Sequence, residues 1–312
     1  MIKGIFFALA ACFIWGLIFV VPQFMNGFGA IEIALGRYLV YGMISLFFLL
    51  RERLRGRSYY PISIWIKALK LSFASTMGYY IFVILALRHA SPAICALILG
   101  ISPITIAFYG NWKQKDCSFK LLILPSMLIL LGLIIINVPF LINSTSISGY
   151  ALGMLCSFSA LISWSWYVVA NSQFLKNHPE VQSGHWSTLL GVSALFWVGI
   201  GSFIAEVFFG NELQLDKYLI WDSALINFLS GCLILGLLCS WLGAFLWNRA
   251  SLYLPVSLAG QLTIFETIFG LLFVYALDGR LPPFLEGIGI LMFLAAIAYG
   301  IRTTSQTSPA HV

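Results

Sequence analysis

The chain has 312 residues, of which 61% are hydrophobic and 9% charged, and its formal net charge is +6. A soluble domain carries about 25% charged residues, so this chain lacks the polar surface to cover a globule in water. Its basic residues sit in short segments between apolar runs, which suits orientation in a membrane better than contact with nucleic acid, and nucleic-acid binding is set aside.

About 20 predominantly apolar residues span a bilayer as a helix, and ten runs of that kind follow one another. They are Gly4 to Val21, Ala30 to Leu50, Trp65 to Leu87, Pro92 to Trp112, Phe119 to Phe140, Tyr150 to Leu175, Trp186 to Phe209, Ala224 to Trp247, Leu252 to Leu277 and Phe284 to Ile301. The alternation over about ten residues that marks a transmembrane barrel is absent. The expected fold is therefore an all-α integral membrane protein with ten transmembrane helices. Lys3 and the apolar run behind it have the look of a signal peptide, but no small-residue cleavage site follows, and an uncleaved first span is expected. The connectors are short and polar, as at Asn143-Ser144-Thr145-Ser146, Asn177-His178-Pro179 and Asp278-Gly279-Arg280. Six cysteines stand one at a time. Cys12, Cys95, Cys156, Cys232 and Cys239 fall inside apolar runs and Cys117 in a basic connector, so they read as packing residues. No disulfide framework, metal site or cofactor is expected.

With the N-terminus inside, the cytoplasmic side holds Lys3, Arg51, Arg53, Arg55, Arg57, Lys67, Lys70, Lys113, Lys115, Lys120, Lys176, Arg249 and Arg302, thirteen of the 17 basic residues. Arg88, Lys217 and Arg280 remain outside, and Arg37 lies within the second span. This bias follows the positive-inside rule and predicts cytoplasmic termini, in the inner or plasma membrane. Acidic residues, Glu206, Glu212, Asp216, Asp222, Asp278 and Glu286, gather near the outer face.

Ten spans divide into five and five, so the second half begins on the opposite side of the membrane from the first. From Gly4 the first span reaches Trp15 and then Gln23-Phe24; from Gly153 the sixth reaches Trp164 and then Gln173-Phe174 at almost the same spacing. Ala86-Leu-Arg-His-Ala-Ser-Pro enters the fourth span much as Arg249-Ala-Ser-Leu-Tyr-Leu-Pro enters the ninth. The expected organisation is two inverted five-helix repeats, residues 1–142 and 147–302, followed by a polar tail, 303–312.

Several of these features carry a family resemblance. The ten-span layout, Arg37 after Ala34-Leu35-Gly36, and Ala86-Leu87 leading through Ser91 and Ala93 to Ser102-Pro103 resemble the EamA-type members of the drug/metabolite transporter superfamily. The resemblance covers nearly the whole chain. It implies two inverted five-helix halves and transport of small metabolites, amino acids among them, often as export. One departure stands out: where the fourth span has Ser102-Pro103, the corresponding part of the ninth reads Phe265-Glu266-Thr267.

Glu266 is the first candidate for chemistry. A carboxylate in the middle of an apolar span costs about 2.5–3.5 kcal/mol on insertion scales, and such groups mark functional sites by default. Gly260, Thr263, Thr267 and Gly270 share or flank its helix face, which is small and polar and suited to the bundle interior. Glu266 either binds a cationic group or takes up a proton, or it is neutralised by Arg37 or hydrogen-bonded to Thr or Gln on a neighbouring helix. Arg37 is either a clamp for a substrate carboxylate or a structural partner of Glu32 or Glu206, and Glu32 is placed at the interface. Trp15, Trp164, Trp166, Tyr79, Tyr80, Trp241 and Trp247 gather around a common axis if the repeat holds, with Tyr79, Tyr80 and Trp164 near mid-span. A carboxylate beside aromatic faces suits an ammonium group through cation–π attraction; helix packing is the competing reading. Ser102, Gln261 and Thr263 complete the expected substrate site. Trp65, Trp112 and Trp186 read as interfacial belt residues. Gln23, Asn26, Asn171 and Gln173 read as gate or helix-end residues, and His89, His178 and His185 as ordinary solvated positions.

No Gly-x-Ser-x-Gly, His-Glu-x-x-His or nucleotide-binding loop occurs, so the chain is not expected to be an enzyme. The expected function is secondary active transport or exchange of a small amphipathic metabolite, an amine, amino acid or related nitrogenous compound, by alternating access and in the direction of export. Protons or a counter-substrate are the candidate coupling partners. A structural or receptor-like membrane protein and an intramembrane enzyme are the competing classes, and the sequence does not choose between monomer and homodimer.

Overall fold

A computed structural model describes residues 1–56, 60–142, 150–209 and 215–307. Arg57, Glu212, His311 and the connector Asn143 to Ser146 lie outside the described residues. Among those described, all regular structure is helical. Ten helical segments are long and apolar enough to cross a membrane: Ile2–Phe24, Ala30–Leu54, Ile62–His89, Ile94–Gln114, Phe119–Pro139, Ala151–Asn177, Ser183–Phe208, Ser223–Tyr253, Val256–Asp278 and Phe284–Thr304. Each overlays one expected span, and most run a few residues further because their polar ends continue the hydrogen-bond ladder. The last helix continues to Thr307, into the segment expected to be tail.

The third, fourth, eighth and ninth spans are interrupted. The third breaks at Thr76 between Ile62–Ser75 and Met77–His89, where the Thr76 hydroxyl donates to the Ser72 carbonyl at 2.6 Å and competes with the backbone ladder. The fourth divides at Ile101 into Pro92–Gly100 and Ser102–Gln114. Pro103 opens the second piece because its ring removes a backbone donor and fixes φ, which a helix start tolerates and a helix interior does not. The ninth divides at Thr263 into Val256–Leu262 and Ile264–Asp278, with the Thr263 hydroxyl donating to the Gly260 carbonyl at 2.6 Å. The eighth holds a π-helical stretch, Ile234–Leu242, between two α-helical pieces.

The second span packs on the seventh, the fifth on the tenth, the first on the eighth and ninth, and the sixth on the third and fourth. The fourth and ninth meet chiefly through Ser102–Gln114 and Val256–Leu262. At that crossing a Cβ on Gly260 would stand 2.7 Å from the Ala107 backbone nitrogen, so only glycine admits the approach. Trp186, Trp247 and Phe293 are wholly or almost wholly buried, while Phe6, Phe47, Ile123, Phe203 and Leu291 point outward. Apolar side chains on that outer face meet lipid, where burying them against protein gains little.

Buried polar groups tie the helices together. The Trp186 indole donates to Asn171 Oδ1 at 2.7 Å, Asn171 donates to Asn248 at 2.8 Å, and Asn248 donates to the Ser187 hydroxyl at 2.9 Å. Trp186 is therefore a core residue and not part of an interfacial belt, and Asn171 is a buried anchor and not a gate. Their apolar neighbours along the sequence give no hint of partners one and two spans away. Trp112, by contrast, is exposed and carries the Lys113 ammonium 4.5 Å from its ring centroid. His185 is not simply solvated: it contacts the Tyr60 hydroxyl at 3.0 Å and lies 3.8 Å from Glu52. His178 pairs with Glu180 at 2.8 Å.

Glu32 departs from expectation as well, being 5% exposed. It accepts from the Gly29 backbone N–H at 2.7 Å, from Lys217 at 2.7 Å and from the Tyr218 hydroxyl at 2.8 Å. Burial and the Glu32 carboxylate push the Tyr218 phenol well above its ordinary range, which keeps it a donor. Lys217 also donates to the Gly27 carbonyl at 2.8 Å, so one lysine pins the segment before the eighth span onto the start of the second. Lys217→Met is expected to lower stability by about 1–3 kcal/mol, because it leaves a buried carboxylate without its cation. Thermal unfolding in detergent, compared with the wild type, measures the loss.

Candidate functional site

A cavity of about 670 Å³ runs through the middle of the bundle, within the range of about 300–1,000 Å³ that small-molecule sites occupy. Its walls come from both halves of the chain and include Trp15, Arg37, Tyr79, Tyr80, Ser102, Trp164, Thr263 and Glu266. Eight of the nine expected site residues thus line one space. Gln261 does not: its side chain packs towards Gly300 in the tenth span, on the other side of the ninth helix.

Arg37 enters from the second span. Its Nε donates to the Ser240 hydroxyl at 2.8 Å, one terminal nitrogen lies 3.4 Å from the Tyr80 hydroxyl, and the guanidinium carbon is 5.3 Å from the Tyr38 ring centroid. The expected pairing with Glu32 or Glu206 is not made; Glu32 is held by Lys217 instead. Among the described residues, Arg37 forms no ion pair. A guanidinium has five N–H donors, so most of this fork is unspent on carboxylate.

Glu266 enters from the ninth span, in the first turn of Ile264–Asp278. The exposed N–H groups of a helix start carry partial positive charge, which favours a carboxylate there by about 0.3–1 kcal/mol. Among the described residues, the Glu266 side chain has neither an ion-pair partner nor a hydrogen-bond donor. The cavity accordingly presents one cationic fork and one acidic group that do not neutralise each other by direct contact.

Aromatic rings form much of the wall, beside aliphatic side chains such as Val83, Leu133 and Leu190. Trp164 lies 5.7 Å from Tyr79, 5.4 Å from Tyr167 and 6.3 Å from Trp15, centroid to centroid, and Tyr79 lies 5.8 Å from Tyr80. The Trp15 indole donates to the Cys239 carbonyl at 2.8 Å and packs 5.4 Å from Trp247, which fixes the ring as a wall. Trp166 is partly exposed on the outer surface and Trp241 stacks on Phe48 at 4.7 Å, so neither joins the site. Tyr38, Tyr167, Cys239 and Ser240 line the cavity without having been singled out. Tyr38 follows Arg37 directly and was in principle legible; Ser240 depends on the π-helical register and was not.

The cavity reaches the end of the bundle marked by Leu87, Tyr275, Arg280 and Glu286, where Arg280 is exposed and paired with Asp278 at 2.9 Å. The opposite end is tied shut by polar contacts. Lys176 donates to Gln114 at 3.0 Å and to the Leu254 carbonyl at 2.9 Å. Asp116 accepts from the Ser257 backbone N–H at 3.2 Å and from its hydroxyl at 3.3 Å. Cys117 donates its backbone N–H to Asn111 at 2.9 Å, and burial pushes its thiol upward. Among the described residues no cluster of His, Cys, Asp and Glu could hold a metal ion.

Comparison with known proteins gives the context. Over 313 residues the chain is 28% identical to "Inner membrane protein YtfF" of Escherichia coli (strain K12), a match covering 98% of this chain and 97% of that one. A solved structure titled "Crystal structure of protein" superposes with a TM-score of 0.75 at 16% identity, covering 97% of this chain and 98% of the other, which shows the shared fold. Residues 2–138 match the EamA-like transporter family. Ten described helical segments long and apolar enough to cross a membrane are the architecture of a multi-pass membrane protein. By these matches the chain is similar to the EamA-like transporter family over residues 2–138 and to that inner membrane protein over nearly its whole length.

Proposed function

We propose that the protein is a secondary transporter or exchanger for a small amphipathic nitrogenous metabolite, an amine or amino acid, moved by alternating access in the direction of export. The observation that carries this reading is the pairing of Glu266 and Arg37 in one aromatic-walled cavity without an ion pair between them. An ammonium group is received by Glu266 and the faces of Trp164 and Tyr79. A carboxylate, where the substrate has one, is received by Arg37. A gradient or a counter-substrate supplies the driving force, protons being one candidate.

The architecture supports two inverted repeats, 1–142 and 147–302. Breaks fall in spans three and four, and again in eight and nine, five spans on. The packing keeps its pattern under the same exchange: the first span on the eighth matches the sixth on the third. With both termini cytoplasmic, as the basic residues favour, the mouth beside Arg280 opens outward and the Asp116–Ser257 and Lys176–Leu254 contacts close the inside. Substrate release inward or loading from inside then requires those contacts to part.

Cys117 reports on that parting, since the other described cysteines are buried within the spans. Burial raises its thiol, so little thiolate is present at neutral pH and alkylation is slow while the end is closed. Asp116→Asn is expected to speed maleimide labelling of Cys117 about threefold to tenfold, in line with one weakened charge-assisted hydrogen bond. Labelling of inside-out vesicles measures it.

The function itself is tested by a thermal-shift screen of purified protein against amines and amino acids. A ligand stabilises by RT ln(1 + [L]/Kd), about 2.7 kcal/mol at a hundred times Kd. Counterflow of the strongest ligand in liposomes then separates transport from binding alone. Stabilisation without counterflow would favour a receptor-like protein.

A further inference from the structure

The π-helical stretch Ile234–Leu242 is long for its kind, since π-helix is rare, appears mostly as single turns within α-helices and is frequent at functional sites. Its i→i+5 register brings the Ser240 side chain beside the carbonyl five residues earlier, and the hydroxyl donates to Leu235 O at 3.0 Å. With its proton committed there, Ser240 Oγ offers lone pairs to Arg37 Nε at 2.8 Å. The same stretch accepts Trp15 through the Cys239 carbonyl. It also lies hard against the second span: a Cβ on Gly236 would stand 2.9 Å from the Arg37 carbonyl and 2.6 Å from Val40 Cγ1. The stretch thus meets Arg37 and Trp15, two of the side chains that the first half sends into the cavity, through a serine hydroxyl and a backbone carbonyl, while Gly236 admits the second span's backbone.

Fixing Nε has a geometric consequence. The guanidinium is a planar fork, and pinning one edge sets the plane, leaving the terminal N–H pair to face a ligand. Without that pin the group can turn about its last bonds, and the long 3.4 Å contact to the Tyr80 hydroxyl does not by itself hold the plane.

We propose that Ser240, held out of α-register by the π-helix, is the positioning residue for Arg37 and thereby determines how strongly the site prefers a carboxylate-bearing substrate over its decarboxylated amine. This rests on the assignment of Arg37 as the carboxylate clamp in the proposed function. Ser240 contacts Arg37 and does not itself hold substrate.

The test uses two probes that share an aromatic ring and an ammonium group and differ in the carboxylate, L-phenylalanine and 2-phenylethylamine, with affinities measured by calorimetry and transport by counterflow. The wild type is expected to prefer the amino acid by about tenfold or more, the size of one good charged hydrogen-bond contact. Ser240→Ala is expected to bring that preference to about threefold or less while leaving amine affinity unchanged, and Ser240→Thr, which keeps the hydroxyl, to restore it. If Ser240→Ala weakens both probes equally and keeps the wild-type ratio, Ser240 is only structural and the inference is overturned. If the wild type binds neither probe, the reading of the cavity falls and takes this inference with it. Should Ser240→Ala fail to fold, Ser240→Cys, close in size and a weak acceptor, is read by the same ratio.

Discussion

Replacing Glu266 with glutamine is expected to abolish substrate-dependent counterflow while leaving the protein folded and at least as heat-stable as the wild type. The two halves of that expectation have separate causes. An isosteric amide removes the charge that receives an ammonium, and truncating one side of a buried, hydrogen-bonded charge pair costs about 2–5 kcal/mol, a loss of about thirtyfold or more in affinity. Among the described residues the carboxylate has no ion-pair partner, so neutralising it removes a desolvation cost and breaks no described hydrogen bond or ion pair. A structural carboxylate would behave in the opposite way, since removing one partner of a buried pair costs about 3–5 kcal/mol of stability. Melting temperature and counterflow, measured on one preparation, therefore decide the role: a clear fall in melting temperature, or normal transport, would remove Glu266 from the site.

Arg37→Lys is expected to be nearly as damaging, although it keeps the charge. Arg37 is held by Ser240 Oγ at 2.8 Å and approached by the Tyr80 hydroxyl at 3.4 Å, over the Tyr38 ring. A lysine ammonium is a compact point charge on a flexible stem and cannot hold those partners while presenting two parallel donors to a carboxylate. The expected loss is about 1.5–3 kcal/mol in binding of a carboxylate-bearing ligand, roughly tenfold to a hundredfold. Binding of the matching amine should change little, and equilibrium titration of both ligands measures the difference. Equal losses for the two ligands would contradict the carboxylate clamp.

Much of this protein can be read along the chain. Composition alone places it in a bilayer, because a helix in hydrocarbon must satisfy every backbone group internally and clothe itself in apolar side chains. Each of the ten spans found in the structure overlays an apolar run. The interruption near Ser102-Pro103 announces itself through the proline, and Glu266 through its expense. Arg37 and the mid-span aromatics Tyr79, Tyr80 and Trp164 likewise stand out as residues that lipid would reject or packing would favour, and all of them line the cavity.

Partnership was another matter. Glu32 reads as interfacial from its place in the sequence, yet Lys217, 185 residues away, pairs with it. Trp186 reads as a belt residue, yet its indole N–H donates to Asn171 in the core. Gln261 shares a helix with Glu266 and yet turns to the tenth span, since one turn around a helix separates a cavity wall from a packed seam. The sequence by itself determined the environment, the number of spans and the presence of costly groups among them, because those follow from the free energy of each residue in lipid. The tertiary structure alone decided which costly groups meet. Contacts between spans far apart in the chain, and a register shift such as the π-helical turn at Ser240, arise from side-chain packing that no local pattern encodes.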